Sequence, residues 1–235
     1  VDQTPGSKSE SQYHEIAVLA GGLAHEIRNP LSTIRMNLGL LFEELEEIQS
    51  GPAQRMQRQL QRIQAECLHL EDILEAFLQF ARAGELSLEP VDLNDLVTSF
   101  IEFYRPQAEQ LHIEISPHLA ADLPLLQLDR QLLRQVLSNL VRNAQQAMPQ
   151  GGLLELQTYQ RDGRVYLQII DSGTGISEAA KAKLFQVFFS TKPSGSGLGL
   201  PTVRKIVEAH AGTIECDSEL GKGTRFTVSF PIPGH

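Results

Sequence analysis

Residues His25-Glu26-Ile27-Arg28-Asn29-Pro30-Leu31 bring an imidazole, a carboxylate and a carboxamide into one seven-residue stretch. A neutral imidazole with one exposed lone pair is a nucleophile. A neighbouring carboxylate that takes the proton from its other nitrogen fixes the tautomer and stabilises the charge that develops on attack. Glu26 is adjacent and suited to that role. Asn29 lies four residues on, shares the helical face of His25 and can hold a water for the reverse reaction. The set suits moving a phosphoryl group onto a histidine and off again. An internal control is His14-Glu15-Ile16-Ala17-Val18, which starts alike but lacks the Asn and Pro; His14 reads as a solvated residue. His69, His112, His118, His210 and His235 read as structural or incidental, and none shows the spacing of a metal ligand.

A second set of residues lies more than a hundred positions downstream. Asn139 and Asn143 are four apart on a helical pattern, so their carboxamides share a face. Amide oxygen is a hard donor suited to Mg²⁺, which keeps waters and phosphate oxygens as its other ligands. Asp171-Ser-Gly173-Thr-Gly175-Ile176 follows a strand pattern. A carboxylate there can accept from the exocyclic amine of adenine, and the glycines let the backbone approach a ring. Gly195-Ser-Gly197-Leu198-Gly199-Leu200 precedes a helix, whose N-terminus favours anions. It is neither a dinucleotide fingerprint, since Leu200 replaces the third glycine, nor a P-loop, since no Gly-Lys-Ser/Thr occurs. Phe185-Gln-Val-Phe188-Phe189-Ser-Thr-Lys192 offers an aromatic hinge and a lysine that can reach a phosphate. Taken singly, each also describes something bland: a polar helix face, an ordinary turn, a solvated lysine.

The elements that position these residues follow from periodicity. Ile16, Ala20, Leu23, Ile27, Ile34, Leu38, Leu41, Leu45 and Ile48 recur at steps of three, four or seven, and Ser50-Gly51-Pro52 reads as a stop. Met56, Leu60, Ile63, Cys67, Leu70, Leu74, Phe77 and Ala81 then alternate steps of four and three. Sustained 3.5-residue periodicity predicts two helices in an antiparallel hairpin with coiled-coil seams. The first, from about residue 14 to 49, would be roughly 54 Å long. His25 lies about 200° from the Leu23 seam and should face solvent. Pro30 removes a helical N–H and should bend the helix at a cost of roughly 3 kcal/mol. One hairpin cannot cover so long a seam, so a homodimeric four-helix bundle is expected.

After Ala83-Gly84 the pattern changes. Helices are expected over 92–110, 129–148 and 198–211. Strands are expected over 112–116, 153–160, 164–171, 213–216 and 225–230. Mixed strands and helices without βαβ alternation predict a two-layer α/β sandwich. The expected organisation is a polar linker or tag remnant over 1–10, a helical hairpin over 11–84 and an α/β domain over 85–235.

The 235 residues are 41% apolar, enough for real cores, and carry a net charge of −9. Such acidity argues against nucleic acid, whose phosphates demand surplus Lys and Arg. The two cysteines, Cys67 and Cys216, read as reduced thiols of a cytoplasmic protein. Ile16–Ala24, the longest apolar stretch, is about half of what a bilayer span requires. Because the sequence opens on Val1, a membrane anchor or sensor is expected only in segments outside it.

Together these segments resemble a sensor histidine kinase of two-component systems, closest in wording to the nitrogen-regulation type. His25–Leu31 resembles the H-box, Asn139–Ala147 the N-box, Asp171–Ile176 the G1 box, Phe185–Phe189 the F-box and Gly195–Leu200 the G2 box, in the family's order. Gly221-Lys-Gly-Thr224-Arg-Phe226 resembles its final hairpin, where the threonine lies near adenine. The resemblance implies a dimerisation and phosphotransfer hairpin followed by a Bergerat (GHKL-type) domain that binds ATP. It implies Mg²⁺ at Asn143, with Asn139 as a second candidate ligand, and Arg142 near the nucleotide or the phosphohistidine. It further implies γ-phosphoryl transfer to His25 with Glu26 as general base, then to an aspartate of a response-regulator receiver domain. Asn29 would support phosphatase activity toward that regulator. Two positions depart from the family pattern. Gln146 stands where many members carry a phosphate-binding lysine, leaving that contact to Lys192, the glycine loop and the metal, and Ala211 replaces a common glycine. The alternatives are a non-kinase ATPase of the same sandwich superfamily, and a signalling scaffold that binds nucleotide without chemistry. The first would share the N and G boxes but has no reason to carry the hairpin. The second is opposed by the intact Glu26, Asn143, Asp171 and loop glycines.

Overall fold

The computed structural model describes residues 27, 29–43, 45, 51–83, 86–192 and 195–233. His25, Glu26 and Arg28 therefore lie outside the described residues, as do residues 1–24 and the expected start of the first helix. The chain divides into two compact units, Val1–Arg82 with Lys192–Ser196, and Ala83–Thr191 with Gly197–His235.

In the first unit, residues 29–43 are helical (α1), Pro30 included, and α2 runs over Gly51–Arg82. Gly51 and Pro52 are the first described residues of α2, and the expected stop falls in part on Ser50, which lies outside the described residues. The heptad splits into two stripes. Leu31, Leu38 and Cys67 are buried and pack with Leu60. Each such leucine contributes about 1.5–3 kcal/mol of burial. Arg35 adds an ion pair to Glu71 at 3.1 Å. The other stripe, Ile27 with Ile34 and Leu41 of α1 and Met56, Ile63 and Leu70 of α2, remains 38–54% exposed.

The second unit is an α/β sandwich, as expected. Its five-stranded sheet has the order β2-β4-β5-β7-β6: β2 (Ile113–Leu119), β4 (Gly152–Arg161), β5 (Arg164–Asp171), β6 (Thr213–Glu219) and β7 (Gly223–Pro231). The β2–β4 pair is parallel and the others antiparallel. Along β5, Val165, Leu167, Ile169 and Asp171 are buried while their neighbours are not. That period of two turns one face of the sheet to the helices. On it pack α3 (Leu93–Gln110), α4 (Arg130–Ala147) and α6 (Gly199–Ala209). Phe230, Leu133, Leu137, Leu140 and Leu167 are among the fully buried side chains between the layers. Two short features escape sequence patterning: a ribbon of β1 (Glu89–Val91) with β3 (Leu126–Leu128), and the one-turn helix α5 (Glu178–Lys181). Three or four residues are too few to express a period.

Candidate functional site

α4 supplies the asparagines. Asp129 caps it by accepting from the Leu132 N–H at 3.0 Å, which satisfies a first-turn donor. Leu133, Val136, Leu137, Leu140, Val141 and Ala144 bury one face. That leaves Asn139 and Asn143 half-buried at its margin and Arg142 and Gln146 exposed.

β5 supplies the acid. Asp171 ends the strand on its buried face and accepts from the Gly173 N–H at 2.9 Å. The loop that follows is fixed to α4, because the Thr174 N–H donates to the Ala147 carbonyl at 3.1 Å. Gly175 has φ +68°, and a Cβ there would strike the Glu219 carbonyl. Only glycine meets both demands. Thr224 lies opposite Asp171 in the β5–β7 register and is buried. Ser218, which no sequence pattern singled out, ties these parts together. Its Oγ accepts from the Ile176 N–H at 2.8 Å, donates to the Gly223 carbonyl at 2.8 Å and lies 3.1 Å from Thr224 Oγ1. Asp171, Ser218 and Thr224 line an open cleft of about 370 Å³ with Lys181 and Arg225. Nearby, burial pushes the Cys216 thiol up to about 11, with Lys181 opposing the rise and Asp217 and Asp171 adding to it.

α6 supplies a bare helix start. The other helices of this unit carry their own caps, Asp92 on α3, Asp129 on α4 and Ser177 on α5. The cap position of α6 is Leu198, a buried side chain with no acceptor to offer. Its first residue, Gly199, faces Asn139: a Cβ on it would sit 3.4 Å from Asn139 Oδ1. The base of the preceding loop is closed by the Phe188 N–H, which donates to the Gly197 carbonyl at 3.1 Å. Phe188 itself has φ +64° and is 66% exposed, an unusual backbone for a bulky side chain.

The second unit therefore sets Asp171, its following loop with Gly173 and Gly175, and Thr224 by the C-terminal end of α4, and sets Gly199 beside Asn139 in the middle of that helix. Asn143 lies one turn along α4 from Asn139 and is half-buried. Lys192 and Gly195 fall in the first unit and are not among the residues the second unit brings together. Asn29 is exposed on α1, one turn from Thr33, whose hydroxyl donates to its carbonyl at 3.1 Å.

Comparison with known proteins gives the family and the fold. Residues 17–86 match the His Kinase A (phospho-acceptor) domain. Residues 128–234 match the histidine kinase-, DNA gyrase B- and HSP90-like ATPase family. A solved structure of a mycobacterial sensor histidine kinase, MprB, is 30% identical, with TM-score 0.55, over 62% of this chain and 97% of its own. The chain belongs to the sensor histidine kinase family. Sensor histidine kinase ZraS of Escherichia coli K12 is 37% identical over 91% of this chain and 45% of its own length. The kinase ShkA, solved with AMPPNP, shares 32% identity and a TM-score of 0.71 over 91% of this chain and 45% of its own. The kinase ThkA, solved with the response regulator TrrA, shares 25% identity and a TM-score of 0.67 over 98% and 68%. The chain spans about half the length of the curated relative ZraS. No helix among the described residues is long and apolar enough to cross a membrane.

Proposed function

We propose that this chain is the kinase portion of a two-component sensor: it binds ATP in the second unit and transfers the γ-phosphoryl group to His25. The observation that carries the reading is the uncapped start of α6 facing Asn139, on the same unit as the buried Asp171 carboxylate. A helix start with no side-chain cap, together with the helix dipole, favours phosphate. A buried carboxylate beside backbone-only glycines favours an adenine edge.

Asp171 would accept from the adenine amine, with Thr224 beside it and Gly173, Gly175 and Ile176 forming the wall. Gly197, Leu198, Gly199 and Leu200 would present the phosphate-facing backbone, with Gly195 and Lys192 in the adjoining loop, Phe188 at its base and Gln146 and Arg142 on the solvent side of α4. Asn143, with Asn139, would hold Mg²⁺. Their neutral hard oxygens on one helix face fit an ion that takes its remaining ligands from phosphate and water. Bound there, the ion would screen phosphate charge. In the transfer, a His25 ring nitrogen forms the bond to the γ-phosphorus as the bridging oxygen bond breaks toward ADP, while Glu26 takes the proton from the other ring nitrogen. The phosphoryl group then passes to an aspartate of a response-regulator receiver domain. Asn29 would orient the water that later removes it from the regulator. The exposed Ile27–Ile34–Leu41 and Met56–Ile63–Leu70 stripe supports a homodimer whose second hairpin covers it. The proposed division is a linker over 1–10, a phosphotransfer hairpin over 11–84 and an ATP-binding domain over 85–235.

Incubation with γ-labelled ATP and Mg²⁺ tests this. Acid-labile phosphate on His25, lost in His25→Gln with ATP affinity retained, is the expected result. ATP hydrolysis without phosphoprotein would instead establish the non-kinase ATPase reading.

A further inference from the structure

α4 and α6 lie alongside one another and meet at two points. At one, Gly199 at the start of α6 faces Asn139 in the middle of α4. At the other, the residue that caps the end of α6 meets the residue that caps the start of α4: the Asp129 N–H donates to His210 Nε2 at 2.9 Å. The stretches between the contacts match in length. Ten residues of α4 and eleven of α6 each rise about 15 Å. The helices are therefore antiparallel, and the Asp129–His210 contact fixes how far α6 slides along α4.

The bond pattern fixes the state of the ring. To accept from Asp129, Nε2 must carry a lone pair. His210 Nδ1 lies 2.8 Å from the Ile206 carbonyl, an acceptor only, so Nδ1 must carry the proton. The imidazole is neutral in one tautomer. Asp129 is a hub in its own right. Its Oδ1 accepts from Leu132 and its Oδ2 from the Ser87 N–H at 2.9 Å, in the segment that enters this unit. Both side chains are buried.

Resting on the reading of the second unit as a nucleotide site, we propose that Asp129 and His210 are that site's positioning residues: a neutral-imidazole clasp that sets the register of α6, and so of the phosphate-facing loop, against the asparagines of α4, and that opens when the ring gains a proton. A charged ring would turn an N–H toward the Asp129 N–H, two donors face to face, and the contact could not survive. Among the described residues, the ring and the elements about it carry the following groups. The Asp129 carboxylate faces it from the cap of α4. The Phe230 ring of β7 meets it edge-on at 6.1 Å. Glu208 on α6 is held by Arg204 at 2.6 Å. Arg164 of β5 is committed to the Ala211 carbonyl at 3.2 Å and to Ser229. Glu89 of β1 pairs with Arg130 at 3.4 Å. Burial keeps the ring below the ordinary imidazole range, against the opposing pull of the Ile206 carbonyl and Asp129. The clasp is therefore closed at neutral pH and opens as pH falls.

The test uses the whole chain, with ATP and Mg²⁺ as probe, titrated calorimetrically from about pH 8 to about pH 5 across the imidazole range. His210→Gln keeps an acceptor that does not protonate in this range, and dividing by its profile removes the titration of ATP itself. The wild-type to His210→Gln affinity ratio should fall about fivefold at the acid end, the worth of one hydrogen bond. His210→Phe, which keeps bulk but no acceptor, should bind more weakly throughout, and its Asp129 amide should lose hydrogen-exchange protection that His210→Gln restores. A ratio constant with pH, or an Asp129 amide still protected in His210→Phe, overturns the clasp. Absence of ATP binding by the unsubstituted chain at every pH would overturn the nucleotide site itself. Should His210→Phe fail to fold, the His210→Gln ratio still decides.

Discussion

Asp171 stands directly opposite Thr224 in the β5–β7 ladder, and both are buried where the two strands meet the cleft. A carboxylate so placed is a poor choice for a core and a good one for recognising an amine. Asp171→Asn should separate the two roles. The asparagine oxygen can still accept from the Gly173 N–H, so thermal stability should change little. ATP affinity should fall on the order of tenfold to a hundredfold, the loss of a charge-assisted hydrogen bond of about 1.5–3 kcal/mol. Calorimetry with ATP, alongside thermal unfolding, checks both halves. Equal loss of stability and binding would make Asp171 a structural residue.

Ala211 follows α6 with φ +54°, a backbone that costs an L-residue roughly 1–2 kcal/mol. The position is exposed, so the methyl gains little packing in return. Ala211→Gly should relieve that cost, less the greater freedom of glycine in the unfolded chain, for a net gain of about 0.5–1 kcal/mol. For a unit of this size that is a rise of about 1–3 °C in Tm. Calorimetric unfolding measures it directly, and a fall in Tm would show the positive φ to be unstrained.

Cys216 has a thiol raised to about 11 by burial. Thiolate is the reactive form, so at about pH 8 its alkylation by iodoacetamide should be about a hundredfold slower than that of a thiol two pKa units lower. The rate should climb as pH approaches 11. Lys181 opposes the rise, so Lys181→Met should slow the reaction further. Mass-spectrometric timing of Cys216 modification tests the sign, and a faster reaction in the variant would contradict it.

The sequence patterns carried well where a period could run its course. Val165, Leu167 and Ile169 announced β5 by alternation, and the buried Leu133–Ala144 face announced α4. The asparagines and Asp171 stand out by type and spacing, and Thr224 only through the family resemblance; the fold sets Thr224 opposite Asp171. Three things were illegible for physical reasons. The β1–β3 ribbon and α5 are shorter than one clear period. Ser218 is a common residue whose role lies in three hydrogen bonds made across sequence. His210 looked incidental because its partner, Asp129, is 81 residues away. The heptads of the hairpin were legible as a pattern, but not as two stripes with separate partners.

That division of stripes gives the last prediction. Leu38 and Cys67 pack together inside the hairpin, whereas Ile34 and Ile63 lie on the stripe left uncovered. A large apolar row open to water marks an interaction face, and its heptad spacing fits a second copy of the same hairpin. Substitutions on the two stripes should therefore fail differently. Leu38→Ala opens a cavity within one chain and should lower hairpin stability by about 2–5 kcal/mol whatever the protein concentration. Ile63→Asp leaves that core intact but places a carboxylate in the seam between copies. It should convert a dimer to a monomer in sedimentation equilibrium, and its effect should diminish as concentration rises, because association follows mass action. A wild-type chain that sediments as a monomer, or an Ile63→Asp variant that remains dimeric, would assign the exposed stripe to something other than a second copy.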